Sequence, residues 1–153
     1  MRIAIISTAF HRLRVTSRHS DAASACRPFD KSRDGFVVGE GAGVVVLESR
    51  AHARSRGANS IAKIVAGGWL NDPTGMTQID ESGAVVSEVL QRTLTSKGQS
   101  PDILSLHGTG TESNDLAEAR GVHTAFGATM PECFGIKGAI GHLLGAAGSV
   151  EPC

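Results

Sequence analysis

The spacing of hydrophobic and polar positions changes several times along the chain. Residues 35–48 (GFVVGEGAGVVVLE) are rich in Val and Gly and close on a β-branched run, which predicts a strand. Residues 49–56 (SRAHARSR) are rich in Ala and Arg and stop at Gly57, the pattern of a short helix with a glycine stop. Residues 60–70 (SIAKIVAGGWL) return to a strand pattern, and 71–75 (NDPTG) form a turn cluster. Over 81–97, Val85, Val86, Val89, Leu90 and Leu94 share one helical stripe that ends at Gly98. Residues 101–106 (PDILSL) read as a short buried strand running into His107. Ser113, Asn114 and Asp115 then offer N-caps for a helix reaching Phe126. Residues 132–136 predict another short strand, and 140–150 a tightly packed helix full of Gly and Ala. The first 25 residues carry the least pattern, with Arg, Ser and His scattered through 12–24.

Alternating strands and helices predict a layered α/β domain. No linker, internal repeat or low-complexity tract interrupts it. The pattern breaks off at Glu151-Pro152-Cys153 with neither a helix C-cap nor a closing strand, so the chain is expected to be a fragment of a larger fold.

Composition narrows the function classes. Of 153 residues 41% are hydrophobic and 20% charged, and Lys+Arg equal Asp+Glu at 15 each. That is a globular balance, and it excludes a disordered tail. No excess of positive charge is present to neutralise phosphates, which argues against a nucleic-acid partner. The longest apolar run, near Val44, falls far short of the roughly 18 residues of a membrane span, so no membrane is expected. Cys26, Cys133 and Cys153 form no CxxC pair, which disfavours zinc and redox motifs. So sparse a set points to a reducing, cytoplasmic compartment. Arg12, Arg14 and Arg18, behind a very short apolar start, have some likeness to a transit peptide and leave organellar import as the alternative.

Three segments carry candidate chemistry. His107-Gly108-Thr109-Gly110-Thr111 follows an apolar strand, where α/β folds place reacting groups. Its glycines allow close backbone approach, and its threonines can hydrogen-bond an extended polar ligand. Taken alone, the segment also fits a core histidine satisfied within a Gly/Thr turn. Lys137 and His142 stand five residues apart around flexible glycines, again after a short strand. A cation beside a histidine lowers its pKa, and a neutral imidazole can donate to a developing oxyanion. A surface lysine and a helix-terminal histidine are the bland alternative. Residues 141–148 (GHLLGAAG) allow very close packing, but no GK[ST] follows, so they are no Walker loop. Residues 39–43 (GEGAG) resemble a dinucleotide turn yet lead into a strand pattern, which dismisses that reading. His107, His142 and Cys133 have no metal-ligand spacing, and no metal is expected.

Taken in order, Cys26-Arg27-Pro28-Phe29-Asp30-Lys31-Ser32-Arg33-Asp34-Gly35-Phe36, the glycines of 39–43, the HGTGT segment and residues 137–148 resemble the C-terminal half of the β-ketoacyl-acyl-carrier-protein synthases. The resemblance runs from Ala9 to Glu151 and covers about a third of a family member. It implies a thiolase-like layered α/β fold, C-terminal half only, with helices on the faces of a mixed sheet. It divides the chain into a poorly patterned segment, 1–25, and a partial C-terminal domain, 26–153. It implies a decarboxylative Claisen condensation of an acyl thioester with a malonyl thioester, in fatty-acid or polyketide synthesis. By the same resemblance His107 and His142 stabilise the enolate oxygen. Lys137 is the active-site lysine, and Glu118 the acid that holds it. Asp115 is a neighbouring acid. Thr109 and Thr111 bind the phosphopantetheine arm of an acyl carrier protein, with no bound cofactor beyond that arm.

The family's nucleophilic cysteine turn, expected well before residue 26, has no counterpart here, nor has the family's C-terminal glycine-rich segment. Cys26 is not expected to be a nucleophile, and Cys133 is expected in the core. The partner this implies is the missing N-terminal half or a ketosynthase chain, and the isolated chain is expected to be inactive in condensation. The alternatives are a non-catalytic subunit of the chain-length-factor kind, a thiolase acting on coenzyme A esters, and an independent small-molecule binder.

Overall fold

A computed structural model describes residues 2–95 and 100–152. In chain order it holds α1 (Arg2–Arg12), α2 (Ala22–Ala25), α3 (Arg50–Ser55), α4 (Ala84–Thr95), β1 (Ile103–Ser105), α5 (Glu112–Phe126), β2 (Glu132–Phe134), α6 (Lys137–Ile140), a 3-10 turn at Leu144–Ala146 and α7 (Ala147–Val150). The site is carried by a β1–α5–β2 crossover. Its strands pair in parallel, Ile103 with Glu132, Leu104 with Cys133 and Ser105 with Phe134. Parallel neighbours need a long connection, and α5 supplies it.

Helices α4 and α5 pack closely because glycine lies at their contact. A Cβ on Gly121 would stand 2.5 Å from Val86 Cβ, and one on Gly83 would stand 2.4 Å from the Gly121 nitrogen. Ala117 lies at this seam, and Val122 and Phe126 of α5, with Phe36, Leu143 and Ala147, are also buried. Helix α3 is capped by the Ser49 hydroxyl, which accepts from His52 N, and has its expected stop at Gly57 with φ +69°.

Several expectations are corrected. The first 25 residues, the least patterned, contain α1, whose Phe10 meets Phe36 edge-on at 5.3 Å between ring centroids. Helix α4 starts at Ala84 and not at Glu81, since Gly83 takes φ +76°; the expected end at Lys97 and Gly98 lies outside the described residues. Helix α5 is capped at Thr111, ahead of the expected Ser113. The single helix expected over 140–150 is broken by Gly141 at φ +73° and Leu144 at φ +54°. Cys133, expected in the core, is exposed on β2.

The largest correction concerns 35–48 and 60–70. Both have strand composition, yet among the described residues 35–48 forms only two isolated parallel bridges, Thr16–Phe36 and Val38–His142, and 60–70 forms none. A strand needs a neighbour to take its backbone N–H and C=O groups. Here the apolar side chains stand in solvent, Val44 at 86% and Trp69 at 88% exposure. The accessible surface of the whole chain is 10838 Å². A compact chain of 15.8 kDa would expose roughly 7300 Å².

Candidate active site

His107 is the second residue after β1, and its main chain is held by α5. The Glu118 carboxylate accepts from the backbone N–H groups of His107 and, at 2.8 Å, of Gly108. The turn continues through Gly108 and Gly110 at positive φ, +46° and +83°, a conformation that suits glycine. Asp115, 1% exposed, fixes the far side of the turn. Its carboxylate accepts from Gly110 N at 3.1 Å and Phe29 N at 2.7 Å, and Arg33 Nε lies 3.4 Å away. Arg33 also donates to the carbonyls of Asp30 and Glu112, both at 2.9 Å. The loop from Arg27 to Asp34 is thereby clamped onto the N-terminus of α5. Thr109 is buried, and its hydroxyl meets that of Thr111 at 2.9 Å.

Lys137 opens α6 just beyond β2 and is 1% exposed. Its ammonium donates to the His107 carbonyl, lies 3.4 Å from His107 Nδ1 and pairs with the Glu151 carboxylate. This corrects the partner assigned from the sequence: the acid on Lys137 is Glu151, while Glu118 is spent on the backbone of His107 and Gly108. Glu151 carries no signal in the sequence, because its pairing depends on the path of the chain through the breaks at Gly141 and Leu144. Phe36 and Arg33 lie inside a segment singled out from the sequence, but their roles emerge only from the packing.

His142 follows Gly141. Its backbone bonds Val37 O at 2.7 Å and Gly39 N at 3.0 Å. Its ring sits edge-on to Phe36, 5.1 Å between centroids, and edge-on to His107, 5.2 Å. Leu144 N donates to His142 Nδ1 at 3.1 Å, so in the neutral ring the proton is on Nε2. An ammonium has no lone pair to offer, so His107 Nδ1, facing Lys137, is the unprotonated nitrogen and its proton is also on Nε2. Both rings therefore carry an Nε2–H donor.

Electrostatics keep them neutral. Burial lowers the His107 pKa, and the Lys137 cation lowers it further against the pull of Glu118, Glu151 and Asp115. Burial, then His107 and Lys137, push His142 down to about 4. The cation effect expected from the sequence is present, but desolvation is the larger cause at both rings. As pH falls, the unfolded chain takes up a proton at this position near 6.5, before the native state does near 4. Stability therefore rises with pH across that window and is lost as pH falls through it. Urea unfolding at pH 4.5 and 7 is expected to show a smaller drop for His142→Asn than for the parent chain. Equal drops would show that the His142 ring is not desolvated in the native state.

Cys26 is half-buried beside the cluster, its thiol donating to the Lys137 carbonyl at 2.8 Å. Cys153 lies outside the described residues. A cleft of about 580 Å³ is lined by Thr111 together with Arg14, Arg18, Asp34, Glu81 and Glu112. Among the described residues, no group of three or more His, Cys, Asp or Glu side chains is placed to hold a metal ion, and no helix is long and apolar enough to cross a membrane.

Comparison with known proteins places this arrangement. The family model described as "Beta-ketoacyl synthase, C-terminal domain" matches residues 61–153, and the one described as "Beta-ketoacyl synthase, N-terminal domain" matches residues 3–53. The chain is 38% identical over 152 residues to 3-oxoacyl-[acyl-carrier-protein] synthase 2 of Mycobacterium tuberculosis (strain ATCC 25618 / H37Rv), covering 97% of this chain and 36% of that protein. It superposes with a TM-score of 0.88 and 30% identity on a type II polyketide synthase ketosynthase in complex with its acyl carrier protein, over 95% of this chain and 37% of that one. The ishigamide ketosynthase/chain length factor gives a TM-score of 0.83 at 32% identity, over 95% and 35%. The fold is thus the layered, thiolase-like α/β architecture of the condensing enzymes. The chain belongs to the β-ketoacyl synthase family. It spans about a third of the length of the curated relatives it matches.

Proposed function

We propose that this chain supplies the enolate-stabilising part of a β-ketoacyl-acyl-carrier-protein synthase. One observation carries the reading. Two imidazoles, His107 just beyond β1 and His142 just beyond α6, meet with ring centroids 5.2 Å apart, both neutral and both with an Nε2–H to donate. In the proposed step a malonyl thioester loses carbon dioxide. The bond from Cα to the carboxylate breaks, and its electron pair forms an enolate whose oxygen takes the two Nε2–H bonds. The enolate carbon then attacks an acyl thioester and displaces a thiolate. Lys137 holds the His107 ring as an Nε2–H donor, and Thr109 and Thr111 bind the phosphopantetheine arm that brings the malonyl group. The two described cysteines are unpaired, which supports a reducing, cytoplasmic setting.

The acyl-bearing thiol comes from elsewhere. Cys26 is engaged with the Lys137 carbonyl and Cys133 is exposed on β2. Without that thiol the enolate takes a proton from water, leaving an acetyl thioester. Incubated with malonyl-acyl-carrier protein, the chain is expected to release carbon dioxide slowly and yield the acetyl form. With an acyl-acyl-carrier protein added, it is expected to give no two-carbon extension. Extension by the chain alone would overturn the proposal. No carbon dioxide release, combined with co-purification with a full-length synthase, would favour a non-catalytic subunit of the chain-length-factor kind.

A further inference from the structure

The turn from His107 to Thr111 is anchored twice. Its first half hangs on Glu118, which takes the N–H groups of His107 and Gly108. Its second half is held by Asp115, which takes the Gly110 N–H, and by Arg33, which reaches in from a distant part of the chain. Arg33 Nε donates to the Thr111 carbonyl at 3.3 Å and Nη2 to the Glu112 carbonyl at 2.9 Å. Nη1 returns to its own loop at the Asp30 carbonyl. A cation at a helix N-terminus opposes the helix dipole, so α5 itself is no reason for this arginine. Thr111 is the N-cap of α5, where a threonine hydroxyl ordinarily takes a helix N–H. Here it makes no cap bond and meets the Thr109 hydroxyl instead. From this arrangement, and resting on the function proposed above, we infer that Arg33 is a positioning residue for the pantetheine arm. It fixes the main chain at Thr111 and Glu112 and so keeps the Thr109 and Thr111 hydroxyl pair in place for the arm.

The two anchors serve different steps. Glu118 and Lys137 hold the main chain of His107, so the enolate donor keeps its place when Arg33 is lost. The hydroxyl pair does not, and the loss falls on binding of the arm. A plainer role also fits the arginine: its charge, 3.4 Å from Asp115, could serve only to neutralise that buried carboxylate. The two roles separate in lysine. An ammonium supplies the charge, but it lacks the planar fork that spans the Asp30, Thr111 and Glu112 carbonyls together.

The test uses malonyl-pantetheine, a probe without a carrier protein, so that protein docking does not enter. Carbon dioxide release gives KM and kcat, and amide exchange at Gly110 and Thr111 is read without the probe. Arg33→Lys is expected to keep the parent Tm but raise KM about tenfold, the scale of one charge-assisted hydrogen bond. Its kcat should stay near the parent's, since only binding is lost, and exchange at Gly110 and Thr111 should quicken. Arg33→Met should show the same KM effect with a lower Tm. The Arg33 side chain is 17% exposed, so millimolar guanidinium can enter its place and should bring the KM of Arg33→Met back down. Lys31→Met removes the same charge from an exposed position of the same loop and should leave KM unchanged. An Arg33→Lys variant with parent KM and parent exchange, or with a loss confined to kcat, would overturn the inference. A parent chain that neither binds nor decarboxylates the probe would sink the proposed function instead. Amide exchange then decides the role of Arg33 alone: faster exchange in Arg33→Lys upholds its hold on the turn, and unchanged exchange overturns it.

Discussion

Replacing either His107 or His142 with alanine is expected to lower malonyl decarboxylation by about 10²–10³-fold, the usual loss when one preorganised oxyanion donor is removed. The expectation rests on proton placement. Leu144 N occupies His142 Nδ1 and the Lys137 ammonium faces His107 Nδ1, which leaves one donor on each ring. Both rings are neutral at pH 7, so neither spends a titration step before it can donate. In the proposed step the two donors serve one oxygen, so the double variant should lose much less than the product of the single losses. Release of labelled carbon dioxide from malonyl-acyl-carrier protein measures the effect. A double variant with the parent rate would show that the imidazoles do not hold the enolate. His107→Gln should recover part of the loss, since an amide N–H can replace the donor but not its placement.

The site was more legible in the sequence than the fold around it. His107 and Lys137 each follow a short apolar strand, and β1 and β2 do form there, paired in parallel. Local pattern was enough because these strands are joined by α5, which the chain contains. Residues 35–48 and 60–70 have an equally strong local pattern and still fail to become strands. Composition records a preference for pairing, but pairing is a property of two segments, and among the described residues 35–48 makes two isolated bridges and 60–70 none. The same limit hid Glu151. Its carboxylate meets Lys137 across a stretch broken at Gly141 and Leu144, both at positive φ, and no local pattern announces that path. Glu118 was found for its position and given the wrong task. From α5 it can reach the two N–H groups that the turn after β1 leaves free, and hydrogen bonds to them suit a carboxylate there.

Lys137→Met is expected to destabilise the chain by about 3–5 kcal/mol, the range seen when one member of a buried ion pair is removed. The lysine is 1% exposed, and its ammonium satisfies the His107 carbonyl and the Glu151 carboxylate together. Methionine fills a similar volume but offers no donor, so the cost falls on the partners left behind. For a domain of this size the loss amounts to roughly 6–20 °C in Tm. The variant also removes a cation that holds the His107 pKa down, so the imidazole should titrate at higher pH, visible in its ring proton shifts. A second variant separates the orphaned charge from the lost packing. In Lys137→Met combined with Glu151→Met no uncompensated carboxylate remains, and most of the lost stability should return, while the raised His107 pKa should persist. An unchanged Tm in the single variant would mean that the ammonium contributes nothing net to the fold. Failure of the double variant to recover would place the cost in the His107 carbonyl, whose donor neither methionine replaces.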